Sequence, residues 1–294
     1  MKILILSGAG FLGQGIIRNI ELTIPEATIV NTTSRRHGVQ KGMRYVEYKS
    51  RSALRQLLHE VSPNFIVHLA SSCLGSQTEL AFRQGVVRDK NLISAIKDWD
   101  GEVKVIFVAS LACFKATDKQ IDLDCHTPES LYGKEKAQMV TRLKKISNSS
   151  GNIDVKIVYP SSIYGVGQRG GMFLPSLLHN LKNNTKMIAS GSKKRRDYIH
   201  VSDVSRLIVG IINDFKDLKQ TDILLNSGQL VELGEIAAMV CNILGRDIND
   251  VVFFEDSPGD INDYQSIGDS YKSSLSCLPS VSLFDGLREM FRGA

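Results

Sequence analysis

The sequence predicts an α/β fold, a doubly wound parallel sheet followed by a smaller C-terminal lobe. Three observations carry that expectation. Short, uniformly apolar runs alternate with helix-like amphipathic stretches from Ile3 to Val158. A glycine-rich string, Gly8-x-Gly10-x-x-Gly13, follows the first apolar run directly. Beyond Tyr164-Gly165 the alternation loosens.

The apolar runs, in order, are Ile3–Leu6, Thr28–Val30, Phe65–Leu69, Val105–Val108 and Val155–Val158, with helical stretches such as Gln14–Ile20, Ser52–Glu60 and Val86–Ile96 between them. Alternation of this kind reads as successive βαβ units. Strands apolar on both faces are buried on both faces, as in a parallel sheet covered by helices. Residues 1–164 are therefore expected to form the first domain and 165–294 a smaller region. The latter opens with Gly165, Gly167, Gly170 and Gly171, a helix at Phe173–Leu181 and a basic run, Lys193-Lys194-Arg195-Arg196. A late strand, Ile223–Asn226, and a helix, Glu235–Leu244, resemble the earlier βα elements and are expected to return to the first domain.

Composition removes several classes of function. Apolar residues make up 43% and charged residues 23%, which is globular rather than disordered or fibrous. The net charge of +5 is scattered apart from the one basic run, so nucleic acid is not expected as a partner. The five cysteines are odd in number and lack a CxxC pair, which argues against a disulfide framework and a zinc site and for a reduced, cytoplasmic setting. Met1–Leu6 is too short for a signal core, and no apolar stretch approaches the ~20 residues of a membrane span, so no membrane association is expected.

The glycine string sits between a strand and a helix, the arrangement of the Rossmann dinucleotide site. Its glycines let the backbone approach a pyrophosphate, whose charge rests on the free N–H groups and positive dipole end of the helix. An NAD site places an acid at the end of the second strand to hold ribose hydroxyls; Asn31 stands there. Ser34, Arg35 and Arg36 follow, and with no carboxylate to repel it a 2′-phosphate could pair with the arginines, which favours NADP over NAD.

Tyr132 and Lys136 lie one helical turn apart in a segment that Thr127-Pro128 is expected to open. Tyr45 and Lys49 share the spacing, but on a strand they would sit far apart. Positions 132, 136, 139, 143 and 146 form one buried stripe, with Lys134, Glu135, Gln138, Arg142 and Lys145 on other faces. A lysine on the buried stripe requires a reason, because desolvating an ammonium is costly. Acid–base chemistry supplies one: a nearby positive charge favours tyrosinate and brings the phenol toward neutrality for proton exchange with an alcohol or carbonyl. Ser110, ending the fourth of the quoted runs, is placed to hydrogen-bond the reacting oxygen.

Taken together, Gly8-Ala9-Gly10-Phe11-Leu12-Gly13, His68-Leu69-Ala70, Ser110, Tyr132-Gly133-x-x-Lys136 and Arg196-Asp197-Tyr198-Ile199-His200-Val201-Ser202-Asp203 resemble the extended short-chain dehydrogenase/reductases, the family of nucleotide-sugar epimerases and dehydratases. Gly259-Asp260, Asp269 and Leu283–Leu287 resemble its closing segment. The resemblance implies a homodimer that transfers hydride between nicotinamide and a carbon of a nucleotide sugar. It further implies Tyr132 as acid/base, Lys136 on the nicotinamide ribose, Ser110 on the sugar oxygen, Arg196 on the substrate diphosphate, and Pro160, Leu69 and Ala70 in the cofactor pocket.

The sequence departs from that pattern in ways that bear on chemistry. Ser7 replaces the first glycine, Lys49-Ser50 stands where an aspartate contacts adenine, Ser162 replaces a substrate-binding asparagine, and Ser257 replaces a second diphosphate arginine, for which Lys193, Lys194 or Arg195 are candidate substitutes. After Ser110 comes Leu111-Ala112-Cys113-Phe114 in place of the Asp-Glu pair a 4,6-dehydratase needs. The expected activity is thus a 4-epimerase or 4-keto-sugar reductase, with a non-catalytic NADP sensor as the alternative. Cys113 and His179 are read as packing or surface residues rather than a second acid/base pair.

Overall fold

The computed structural model describes residues 1–34, 42–71, 77–115, 121–255 and 279–292. The chain begins β1 (Lys2–Leu6), α1 (Phe11–Thr23), β2 (Thr28–Thr33), β3 (Met43–Tyr45), α2 (Arg51–Val61), β4 (Phe65–His68), α3 (Glu79–Lys97), β5 (Val103–Val108). After a single 3-10 turn at Leu111–Cys113 come α4 (Leu131–Ser149), β6 (Ile153–Pro160), β7 (Ser162–Tyr164), α5 (Phe173–Lys182), β8 (Met187–Ser190) and β9 (Arg195–His200). It closes with α6 (Val201–Asn213), β10 (Asp222–Leu225), β11 (Leu230–Glu232), α7 (Leu233–Leu244), α8 (Ile248–Val251), β12 (Val252–Glu255) and α9 (Leu283–Phe291).

The main sheet has seven strands in the order β10-β6-β5-β4-β1-β2-β3. Each neighbouring pair is parallel, for example Leu4 opposite Ile66 and Val30. Alternate residues of one strand feed two separate cores. Leu4 and Leu6 pack with α2, α3 and α4, while Ile3 and Ile5 pack with α1 and α6. This two-sided burial is what the uniformly apolar runs require. The strand order reverses direction at β1 and β4, which places a ligand crevice at the carboxyl ends of those strands.

A third core, built from α5, α7, α9 and the strands around them, forms the smaller lobe. It carries a three-stranded sheet, β11-β9-β7, and a two-stranded pair, β12-β8. The late strand does return to the main sheet, as β10 beside β6. The helix after it does not: Ile236, Ala237 and Val240 of α7 belong to the third core. In the other direction α6 packs on the main sheet although it follows the lobe's first elements.

Two local expectations are corrected. Helix α4 opens at Ser130, whose hydroxyl accepts Gly133 N–H at 3.0 Å, rather than at Thr127-Pro128. Thr127 instead ties the preceding segment to the 3-10 turn, its N–H donating to Cys113 O at 3.0 Å. Tyr45 ends a short strand, while Lys49 lies in a turn and not on a strand.

Candidate active site

A cavity of about 400 Å³ opens over the carboxyl ends of β1, β4, β5 and β6. Gly10, Phe11, Leu12, Gly13, Leu69, Ser110, Tyr132, Lys136, Pro160 and Ser162, singled out from the sequence, all line it. Its formation follows from the strand ends and from two glycine-dependent approaches. A Cβ on Gly13 would fall 2.4 Å from Gly8 O, so α1 can close on the loop only without side chains there. A Cβ on Gly133 would fall 1.9 Å from Ala112 O, so the first turn of α4 lies directly on the 3-10 turn that follows Ser110.

The loop fits a dinucleotide. Gly10 caps α1 with no side-chain hydrogen bond, leaving the first-turn N–H groups for an anion. Asn31 is 8% exposed, and its Oδ1 is buried without a hydrogen-bond partner. A Cβ on Gly8 would fall 2.3 Å from that oxygen, so Asn31 sits against the loop rather than in the cavity. Ser34 is exposed at the end of β2, and Arg35 and Arg36 lie outside the described residues.

Ser7 takes the place of a glycine and the conformation of one, with φ +67°. Its N–H donates to Thr32 O at 3.1 Å and to the Tyr48 hydroxyl at 2.8 Å. Tyr48 in turn meets Thr32 Oγ1 at 2.6 Å, and Thr32 Oγ1 donates to Ile5 O at 3.0 Å. The turn of the loop is therefore held by a buried chain of hydroxyls in place of a glycine's freedom.

Lys136 is 3% exposed, and its Nζ donates to Val108 O at 2.8 Å and Ala70 O at 3.4 Å over the Phe107 ring. Ala70 thus serves the lysine and does not line the cavity, a change from its expected place in the cofactor pocket. Two of the three ammonium protons are engaged in this way, leaving one for a ligand hydroxyl. Burial, then Arg88, depresses Lys136 from 10.5 to about 8, against the opposing pull of Glu135 and Asp89.

Glu135 does not decorate an outer face. It is 1% exposed and pairs with Arg88 at 2.8 Å, while Arg88 also meets Asp89 at 2.6 Å. Asp89 lies 3.6 Å from His68, whose imidazole burial lowers to about 4 and so keeps neutral. The remaining stripe is as expected: Met139, Leu143 and Ile146 are buried.

The Ser110 hydroxyl hydrogen-bonds Tyr132. Burial nevertheless raises the Tyr132 phenol above its ordinary value of 10.0, with the Ser110 bond opposing. Lys136 Nζ stands 6.0 Å from the Tyr132 ring, with two of its protons on carbonyls; the oxidised nicotinamide is the other positive charge on which a lowered phenol pKa is expected to depend. Tyr132 rests as an acid.

Arg196, expected on the diphosphate, does not line the cavity; its Nη1 donates to Arg195 O at 2.7 Å. Ser257, Gly259, Asp260 and Asp269 lie outside the described residues. Cys113 is fully buried, its thiol pushed up to about 12 by burial, and His179 is exposed on α5, so the two are not brought together. Sequence reasoning missed Ser71, Ser161, Ile163, Gln168, Arg169 and Met172 as lining residues. Glycines flanking Gln168-Arg169 were the one available signal. Among the described residues no cluster could hold a metal ion, and no helix is long and apolar enough to cross a membrane.

A Rossmann sheet with a glycine loop and a Ser-Tyr-Lys constellation at the switch point defines a nicotinamide-dependent oxidoreductase. The NAD dependent epimerase/dehydratase family matches residues 3–225, and the chain belongs to that family. It is 22% identical to GDP-L-fucose synthase of Dictyostelium discoideum, over 97% of this chain and 89% of that protein. It is also 22% identical to GDP-6-deoxy-D-talose 4-dehydrogenase of Aggregatibacter actinomycetemcomitans, over 83% of this chain and 80% of the relative. In fold it is similar to dTDP-glucose 4,6-dehydratase of Bacillus anthracis (TM-score 0.84, 17% identity, 99% and 96% covered). UDP-glucose 4-epimerase of Thermus thermophilus is comparable (TM-score 0.79, 19% identity, both chains fully covered).

Proposed function

We propose that the protein is a nucleotide-sugar 4-keto reductase, run reversibly as a 4-dehydrogenase, using NADP in preference to NAD. The observation that carries this reading is the acid–base content of the cavity. Among the described residues lining it there is no carboxylate, histidine or cysteine; Tyr132 alone can give or take a proton near the reacting carbon. Elimination of water, or inversion beside a carbonyl, needs a further acid or base. Hydride transfer at a carbonyl needs one, in a 4-keto reductase and a 4-epimerase alike; the arginines after Asn31 favour an exchanging NADPH and so the reductase.

A bound reduced nicotinamide would supply the hydride. Tyr132, protonated at rest, gives its proton to the forming alkoxide, and Ser110 donates to the same oxygen, lowering the cost of charge as it develops. Lys136, anchored on Val108 O and Ala70 O, holds the ribose hydroxyl and offers positive charge to the tyrosinate that remains. Leu69, Val108 and Leu111 form an apolar wall that keeps water from the carbonyl. The two curated relatives carry GDP-sugar names, and on that ground a GDP-activated deoxy sugar is the first substrate to test. A homodimer, implied by the family resemblance, belongs to the same reading and is open to light scattering.

The test is turnover of GDP-6-deoxy-D-talose with NADP, followed by reduced-nicotinamide absorbance. Stoichiometric reduction of added cofactor supports the reading. Interconversion of two sugars with no net change in cofactor would establish an epimerase instead. Tyr132→Phe is expected to lower kcat/KM by at least about 10²-fold; unchanged turnover would remove Tyr132 from the mechanism.

A further inference from the structure

The Arg88-Asp89 pair of α3 brings more charge to α4 than a tie between two helices requires. Arg88 meets Glu135 at 2.8 Å and Asp89 at 2.6 Å, and all three side chains are buried. One guanidinium and one carboxylate would join the helices with no net charge. Here a second carboxylate is buried with them, and an excess charge in the interior is costly unless an opposite charge stands near it. Among the described residues that charge is Lys136, next to Glu135 on α4 and drawn toward its protonated form by both carboxylates. The backbone makes room for the arrangement: a Cβ on Gly85 would fall 2.6 Å from Glu135 Cδ, so α3 admits this carboxylate only at a glycine.

The same pair also reaches the far side of the lysine. Asp89 lies 3.6 Å from His68 Nε2, His68 Nδ1 accepts Ala70 N–H at 3.3 Å, and Ala70 O takes Lys136 Nζ at 3.4 Å. The charged groups that face Lys136 are Arg88 and Asp89 from α3 and Glu135 from its own helix. Tyr132 on α4, His68 on β4 and Cys113 on the 3-10 turn complete its titratable surroundings, and burial keeps all three neutral. The surrounding charge therefore sums to one negative. Resting on the hydride-transfer reading above, we propose that Glu135 and Asp89 are positioning residues that, gripped by Arg88, keep Lys136 charged beside Tyr132 at neutral pH. Glu135 acts on both members of the pair, because its charge also favours the protonated phenol of Tyr132. One buried network thus holds the acid loaded and the cation that meets the tyrosinate in place.

The test is an NMR pH titration of the full chain labelled at lysine Cε, with Lys136 and Lys156 assigned from their Met variants. The Lys136 midpoint is expected near 8 in the wild type. It is expected roughly 1–2 pH units lower in Glu135→Gln and closer to wild type in Glu135→Asp, with Lys156 unmoved in both. Loosened packing would have the opposite sign, since wetting Lys136 raises its midpoint toward 10.5. A midpoint unchanged or raised in Glu135→Gln would overturn the proposal. Asp89→Asn also leaves Arg88 one carboxylate and takes its place if Glu135→Gln does not fold, with a smaller fall expected and no fall counting against the network. A wild-type midpoint below neutrality would sink the proposal without any variant. The titration needs no substrate, so it separates the two readings. Absence of hydride transfer in turnover assays, with Lys136 titrating as described, removes the proposed activity and leaves the network.

Discussion

Two buried lysines in this molecule are built almost identically and serve different ends. Lys136 donates to Val108 O and Ala70 O over the Phe107 ring. Lys156, on β6, donates to Leu218 O at 2.6 Å and Gln220 O at 2.8 Å, with its Nζ 5.4 Å from the Phe215 ring. Both are depressed by burial. Lys136 floors the cavity beside Tyr132, whereas Lys156 secures the segment that leads into β10. A buried lysine therefore does not mark a site by itself. What distinguishes Lys136 is a spare proton facing a cavity and a titrating partner one helical turn away.

The comparison is broken most directly by removing each lysine. Lys136→Met is expected to lower kcat/KM by on the order of 10²- to 10³-fold, because it takes away both the ribose contact and the charge beside the tyrosinate. Lys156→Met is expected to stay within about 2-fold of wild type. Steady-state kinetics on the two variants decide it, and comparable losses would mean that the two lysines are not functionally distinct.

Stability is expected to respond to pH most clearly at Lys136. Lys136 falls from 10.5 to about 8 on folding, so below pH 8 the folded chain carries a charge it holds less well than the unfolded chain does. The folded pKa lies below the unfolded one; stability consequently rises as pH climbs from about 8 toward 10.5, and the full penalty applies at pH 7. Lys136→Met relieves that penalty, by up to about 3 kcal/mol at pH 7. It also leaves Val108 O and Ala70 O without their donor, at a cost of about 1–3 kcal/mol. The net change is therefore small at pH 7 and becomes a loss at pH 10. Lys156→Met leaves two carbonyls without their donor and is expected to cost about 1–3 kcal/mol. Urea unfolding at the two pH values reads both. The same titration gives activity an alkaline limit: kcat/KM is expected to fall above about pH 8 as Lys136 loses its proton.

The contrast also explains what could be read without coordinates. The apolar runs, the glycine loop and the Tyr132–Lys136 spacing are local patterns with their own periods, and each lies where sequence places it. Lys136 was legible because a turn of helix relates it to Tyr132. Glu135 was misplaced on an outer face because its partner Arg88 is far away in sequence, and helical periodicity carries no record of a charge arriving from α3. Arg169 and Gln168 reach the cavity only through the path of an irregular loop, whereas Arg196 lies on β9, paired with β11 in the smaller lobe, and is not among the lining residues. The helix at Leu233–Leu244 has an ordinary amphipathic pattern that fits either core, so the lobe it joins is decided by the route of the chain and not by its residues.

The smallest effect tests the same lesson on a second pair. Ser7 and Ser62 both adopt left-handed backbone, with φ +67° and +48°, at some steric cost that glycine would not bear. Ser62 closes α2, its N–H bonded to Leu58 O, and does not line the active-site cavity. Ser7 lines the cavity and hangs on Tyr48 and Thr32. Ser7→Gly and Ser62→Gly are each expected to relieve strain and stabilise by up to about 1 kcal/mol, less what the unfolded chain gains in freedom. Only Ser7→Gly should alter cofactor affinity, since it loosens the turn that presents the α1 N-terminus. Dissociation constants for NADP and NAD, measured beside the unfolding curves, separate the two serines. Equal effects of both substitutions on cofactor binding would mean that the hydroxyl chain through Tyr48 holds only the fold.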